Sequence, residues 1–325
     1  DLTAVAGLPY TSGSPVYADR IAASDSPMVA RIRAQGAIFI GKTNTPEFGL
    51  GSQSYNQVFG ATGSAYNPAL TSGGSSGGAA SGLGTHMLPA ADGSDAMGSL
   101  RNPGAFNNVI GFRPSVGLVG GSDPFARSLA TSGPMGRNTE DAIRLLHTLA
   151  AGPVADQPMS LQDALPGTEQ FNALNLQNLK LGWMGNYQNY LSMESGVLEL
   201  CESSLGSVVS AGAVVEPVMP QFNMSDLWQC WIDLRNAGRV SYADLYDNSD
   251  TRALLKPELI WEIEQSFLLT AKDISVANSV RSRWYRELNR LFDEYDLLVL
   301  PTAQVFPFSK DLHWPTKING RQMDT

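Results

Sequence analysis

With 325 residues, 43% of them hydrophobic and 16% charged, the chain can bury a large core, and its 32 glycines suit a tightly packed α/β protein. A formal net charge of −9 with no basic stripe argues against a nucleic-acid-binding surface, and no apolar run reaches the roughly 18 residues that a membrane span needs. Cys201 and Cys230 give neither a disulfide framework nor a metal-ligand spacing and read as buried free thiols; no leader peptide is visible, so a cytoplasmic location is the expectation.

From the N-terminus, SDSPMVARIRAQ (24–35) reads as a capped helix stopped by Gly36, and AIFI (37–40) as a buried strand. GAIFIGKT (36–43) has the spelling of a phosphate-binding loop. Such a loop, however, follows a strand and stays open between its glycines. Here the order is inverted, so nucleotide binding is set aside, and Lys42 at the strand end reads as structural. YNPALTS (66–72) is turn-like.

The next stretch, GGSSGGAASGLGTHMLPAADGSDAMGS (73–99), carries two glycine-flanked serines, Ser75 and Ser99, 24 positions apart and nearly free of charge. A nucleophilic serine needs a base, a sharply turned backbone that exposes its oxygen, and N–H groups for the developing oxyanion. Gly73, Gly74, Gly77 and Gly78 are expected to adopt backbone angles closed to other residues, and Gly93 and Gly98 to bracket a turn whose amides converge. A flexible linker fits poorly, because linkers do not run into MLPAA and then a charged Asp95. GGSSG also spells the nucleophile elbow of α/β-hydrolases, which needs a preceding strand, an acid and a histidine. Only His86, His147 and His313 are available, and His147 sits in the apolar helical pattern AIRLLHTLAA. A Ser-His-Asp hydrolase is the mechanistic alternative.

Further along, a helix is expected near 139–151, closed by Gly152, followed by a polar surface connection over 153–178. LKLGWM (179–184), SMESGVLELCESSLGSVVSAG (192–212) and AVVEPV (213–218) read as strand, helix and strand, an order that predicts parallel pairing. Residues 223–295 are mostly helical by period, and DLLVLP (296–301) returns to the sheet. Aromatics in the helical part, Trp228 and Trp231 among them, read mainly as core.

The serine-bearing stretch resembles the amidase signature family, marked by GGSSGG and, 24 residues on, by the serine of a GTDxGGSIR-like run. Here that run spans Gly93 to Arg101, with Ser94 for the usual Thr and Met97 for a usual Gly. The resemblance extends through GAIFIGKTNTPEFGLGS (36–52), YNP (66–68), GFRPSVGLV (111–119), TSGPMGRNTED (131–141) and DLLVLPTA (296–303). It implies an α/β fold with a mixed, largely parallel twisted sheet flanked by helices on both faces. A single domain over 1–325, truncated at both ends, is expected: a core with the serine pair over 1–152, a helical substrate-covering region over 153–295, and a return to the sheet over 296–325.

By the same resemblance Ser99 is the nucleophile and Ser75, after a cis peptide from Gly74, is the serine that bridges to a lysine base. The N–H groups of Ala96, Met97, Gly98 and Ser99 form the oxyanion hole, with Gly74, Ser76, Ser94, Asp95 and Arg101 in support, Arg101 pairing with Asp95. The family's lysine stands in a VKD-like run, and Asp1 followed by LTAVAGLPYTSGS is how the family reads directly after it. The base is therefore expected one residue ahead of Asp1, and the chain from Asp1 onward is expected to be inactive without it. The implied reaction is hydrolysis of a small-molecule amide, with no metal and no cofactor, and with no nucleic-acid or membrane partner. A bulky or apolar acyl or aryl group beside Trp228 and Trp231 is a further expectation, and a homodimer is left open. Two alternatives are a protein like the A component of the glutamyl-tRNA amidotransferase and a non-catalytic scaffold of the same fold.

Overall fold

The computed structural model describes residues 1–119, 129–150, 165 and 175–323. In chain order they form α1 (Pro27–Ala34), β1 (Tyr55–Asn56), β2 (Gly60–Ala61), α2 (Gly77–Gly84), β3 (Ala90–Asp95), α3 (Arg101–Phe106), β4 (Ile110–Gly111), β5 (Thr131–Gly136) and α4 (Thr139–Ala150). There follow β6 (Lys180–Trp183), α5 (Val197–Ser210), β7 (Val214–Pro217), α6 (Met224–Ala237), α7 (Ala243–Asp247), α8 (Ser249–Arg252), α9 (Pro257–Leu268), α10 (Ala271–Phe292), β8 (Leu297–Val299), β9 (Lys317–Ile318) and β10 (Arg321–Gln322). Their contacts separate into two units, the first from 1–171, 248–258 and 307–314, the second from 172–247, 259–306 and 315–325.

In the first unit the capped helix expected over 24–35 is α1, which starts three residues later, at Pro27. Pro27 follows the N-cap Ser26, whose hydroxyl accepts the Val29 N–H at 3.3 Å. Met28 and Ile32 of α1 pack on Leu146 and Leu149 of α4, together with Leu118 and Val119. A second core lies under the serine-bearing stretch: Ala79, Ala80 and Leu83 of α2 close on Leu100 and on Met135 of β5. Strand β5 runs antiparallel between β3 and β4, with Gly93 opposite Gly133 and Asp95 opposite Thr131.

The expected strand over 37–40 is not formed. The segment has no regular structure, and Ile38 and Ile40 are 87% and 70% exposed, while Phe39 packs against the α1–α4 cluster. A short apolar run specifies a strand only if another strand accepts its backbone, and none among the described residues does. The helix near 139–151 is α4, observed to Ala150; Gly152 and most of the 153–178 connection lie outside the described residues.

In the second unit the β-α-β order is realised. Strand β6 is central and parallel to both β7 and β8, with Leu181 opposite Val215 and Leu297. The α5 crossover returns the chain in the same direction. The protein is thus mixed α/β; among the described strands parallel pairing is confined to this sheet. Helix α5 begins at Val197, five residues later than its expected start at 192, where Gly196 adopts φ +94° and gives its N–H to the Glu199 carboxylate at 3.0 Å. Helices α6 and α10 share a core of Cys230, Ala277 and Val280. Cys230 is buried and Cys201 half-buried, and both are free thiols. No helix among the described residues is long and apolar enough to cross a membrane.

Because Leu83 is fully buried in the second core, Leu83→Ala should lower unfolding free energy by about 2–5 kcal/mol. Denaturant unfolding measures this, and an unchanged midpoint would contradict the packing described.

Candidate active site

Ser75 lies in the last turn before α2, and Ser99 lies in the tight turn that joins β3 to α3. The Gly74–Ser75 peptide is cis. Ser76, the first residue after it, ties the two segments together. Its N–H donates to the Ser99 carbonyl at 3.1 Å, its hydroxyl accepts the Ser94 N–H at 3.3 Å and lies 3.4 Å from the Ser94 carbonyl. Ser54 braces the other side: its hydroxyl donates to the Ser75 carbonyl and accepts the Gly77 N–H, each at 3.0 Å. Asn102 accepts the Gly74 N–H at 3.1 Å. Ser75 is 2% exposed, whereas Ser99 is half-buried at the rim.

The glycines serve these contacts in two distinct ways. Gly73 and Gly98 do adopt left-handed angles, φ +71° and +102°. Gly77 and Gly93 are instead required by proximity: a Cβ on Gly77 would lie 2.4 Å from the Ser54 hydroxyl, and one on Gly93 2.5 Å from that of Ser76. Gly93 is therefore no turn residue; it sits inside β3.

The turn over 96–99 is wound around the carboxylate of Asp95, which is fully buried. One oxygen accepts the Gly98 N–H at 2.7 Å, the other the Leu100 N–H at 3.1 Å, and Arg101 grips both with a 2.9 Å bond to each. Arg113 adds an ion pair at 3.4 Å and donates to the Asp95 carbonyl at 3.2 Å. Burial pushes the Asp95 pKa up, but the hydrogen bonds and charge of Arg101 and the two N–H donors outweigh it and hold the carboxyl below its ordinary range.

One expected oxyanion donor is thereby corrected. The Gly98 N–H is committed to Asp95, and what Gly98 supplies to the turn is its left-handed angle. The N–H groups of Ala96, Met97 and Ser99 have no acceptor among the described residues.

Lys42 and the histidines fall away on geometry. Burial, and then the charge of Arg20, pull the Lys42 pKa down to about 8, but its ammonium is held by the Asp1 carboxylate at 2.5 Å and the Pro9 carbonyl at 2.7 Å. No helix opens at Lys42, so the phosphate-loop spelling has no phosphate-loop structure. His86 is exposed in the turn after α2, His147 lies on α4, and His313 stacks on Tyr55 at 4.3 Å. Among the described residues none of them bonds to either serine, and no three His, Cys, Asp or Glu side chains gather as metal ligands. Trp228 and Trp231 stack on each other at 5.1 Å within the second unit.

Ser54, Asn102 and Arg113 had no assigned role in the sequence. Arg113 lies in the GFRPSVGLV run and Asn102 directly follows Arg101, but nothing in their spacing says that they meet Asp95 and Gly74.

Comparison with known proteins follows the same lines. The sequence profile of the Amidase family matches residues 1–321. An acylamidase of Rhodococcus erythropolis is 31% identical over 99% of this chain and 68% of its own length. The A component of the glutamyl-tRNA(Gln) amidotransferase of Thermus thermophilus is 31% identical over 95% of this chain and 70% of its own. Among solved structures, a bacterial aryl acylamidase of the amidase signature family superposes with a TM-score of 0.89 at 26% identity, over 99% of this chain and 69% of that one.

Replacing Asp95 with Asn keeps the shape but loses the charge that holds Gly98, Leu100 and Arg101, and should cost about 1–3 kcal/mol of stability. Because the folded-state pKa of Asp95 is depressed, its contribution is full above the unfolded value of about 4 and is lost as pH falls further. The melting temperature of the parent should therefore drop on acidification more steeply than that of Asp95→Asn. Parallel melting curves over the acid range would refute the linkage.

Proposed function

The chain belongs to the amidase family, and we propose that it hydrolyses a small acyl amide by passing a proton from Ser99 through Ser75 to a lysine. The observation that carries this reading is the 3.1 Å bond from the Ser76 N–H to the Ser99 carbonyl, which joins the segments bearing the two hydroxyls.

In the proposed reaction the Ser99 oxygen attacks the amide carbonyl carbon while its proton moves to Ser75, and the Ser75 proton moves to the neutral lysine that the family resemblance implies as base. The carbonyl oxygen gains negative charge where the uncommitted N–H groups of Ala96, Met97 and Ser99 can receive it. Collapse of the tetrahedral intermediate breaks the carbon–nitrogen bond. The leaving nitrogen takes its proton back through Ser75, and an acyl-enzyme on Ser99 is left. Water then attacks the same carbon, giving the free acid and restoring the Ser99 hydroxyl.

An apolar acyl or aryl amide is the proposed substrate class. Two things support it: the Rhodococcus relative is an acylamidase, and Met97, half exposed in the turn beside Ser99, presents an apolar surface. A second reading, the A component of an amidotransferase, draws support from the Thermus thermophilus relative. Stable co-purification with partner proteins, and no hydrolysis of free amides, would favour it.

Release of aniline from a panel of acyl anilides, by a protein that carries the base lysine, tests the proposal. Ser99→Ala should lose about a thousandfold or more in kcat/KM, and Ser75→Ala about 10²–10⁴-fold. A Ser99→Ala protein within tenfold of the parent would sink the reading. The pH dependence has a definite sign: a protonated lysine cannot accept from Ser75, so kcat/KM should fall as the solution is acidified. A profile flat through the acid range would contradict it.

A further inference from the structure

Lysine is seldom buried, because removing an ammonium from water is costly, and apolar residues of similar volume usually fill such a place as well or better. Lys256 is nonetheless 8% exposed. It lies in the first unit, on the segment just ahead of α9, more than 200 positions from the residues of the loop that it grips. Its ammonium donates to the Leu50 carbonyl at 2.8 Å, its backbone N–H donates to the Glu47 carboxylate at 3.1 Å, and Glu258 lies 3.8 Å from the ammonium. The ammonium also stands 5.2 Å over the Tyr55 ring. Glu47 is itself buried, and its second oxygen accepts the Ser14 hydroxyl at 2.7 Å.

Apart from the Glu258 pair, these contacts bear on the segment from Glu47 to Tyr55, and that segment wraps Ser75. A Cβ built on Gly49 would lie 3.9 Å from the Ser75 hydroxyl oxygen, and one on Gly74 would lie 2.8 Å from the Gln53 nitrogen. The Ser54 N–H donates to the Gly73 carbonyl at 3.1 Å, and its hydroxyl to the Ser75 carbonyl. Within the loop Phe48 takes φ +51° and Gly51 φ +120°, so the backbone twists sharply on both sides of Gly49 and Leu50. Local sequence does not hold such a path by itself. Lys256 grips it at two points, through Glu47 at the start and through the Leu50 carbonyl at the middle.

We propose that Lys256 is a positioning residue for the proton relay: by holding Glu47 and the Leu50 carbonyl it keeps the loop packed around Ser75, whose carbonyl the Ser54 hydroxyl holds, and so fixes the place of the Ser75 side chain in the relay. The inference rests on the relay reading of Ser75 and Ser99. Lys256 touches neither substrate nor the reacting atoms. Its effect is therefore on turnover and not on binding, because a relay misaligned by about an ångström can lose up to a hundredfold in rate.

Steady-state kinetics on an acyl anilide, in a protein that carries the base lysine and with a melting curve for each variant, tests this. Lys256→Met should lower kcat about tenfold or more and leave KM within about twofold. Lys256→Arg, which keeps a charged donor for the Leu50 carbonyl, should recover most of the loss. If Lys256→Met is insoluble, Lys256→Gln, which keeps a neutral donor, replaces it under the same criteria. A kcat within twofold of the parent, a loss carried by KM, no recovery in Lys256→Arg, or misfolding of both Met and Gln variants would overturn the inference. Ser99→Ala measured alongside separates the two ideas. If it stays active the relay reading fails; if it is dead while Lys256→Met matches the parent, only the role of Lys256 fails.

Discussion

A single carboxylate organises the candidate site. Asp95 ends β3 fully buried, and the chain that follows folds back around it, so that two N–H groups and two guanidinium groups converge on its oxygens. A charge removed from water is tolerated only with this many partners. Satisfying it forces the backbone into a turn of one shape, with Gly98 left-handed at its centre. Among the described residues the N–H groups of Ala96, Met97 and Ser99 in that turn have no acceptor. Leu100 anchors the turn from below in the core shared with α2 and β5.

The second requirement is closeness. The segment from 73 to 78 carries side chains no larger than serine, and the surrounding backbone occupies the space that larger ones would take. A Cβ on Gly78 would stand 2.5 Å from the Asn44 nitrogen, and one on Gly74 2.8 Å from that of Gln53. Ser54 and Ser76 then work as paired staples, one on each side of Ser75. Small residues here are a packing condition, and they leave the Ser75 side chain buried against the surrounding backbone.

The two units differ in how they reach stability. In the second, the β6–α5–β7 crossover and the α6–α10 pair follow local pattern closely, with caps at Asn223 and Thr270. Glu262, nearly buried, is neutralised by Arg235 and Arg239 at 2.6 and 2.7 Å. In the first, much of the chain is irregular, and hydrogen bonds between distant loops replace regular ladders. A chain of this kind has few periodic signals to read.

What the sequence determined by itself was whatever depends on local pattern or on a motif spelled in full: a capped helix at α1, the β6–α5–β7 unit with parallel strands, the return of 297–299 to that sheet, and the membership of 73–101 in an amidase signature. What only the tertiary structure decided was whatever depends on where distant backbone lies. Gly93 reads as the near edge of a turn but lies within β3, because β5 pairs with it at Gly133, and Ser76 leaves no room there for a Cβ. AIFI reads as a strand but forms none, because a strand needs a neighbour to take its hydrogen bonds. The Gly98 N–H reads as a free donor but is occupied by Asp95, and Lys256 carries no motif at all. Periodicity records how a segment meets an average environment, whereas hydrogen bonds across about 200 residues are set by the folded chain alone.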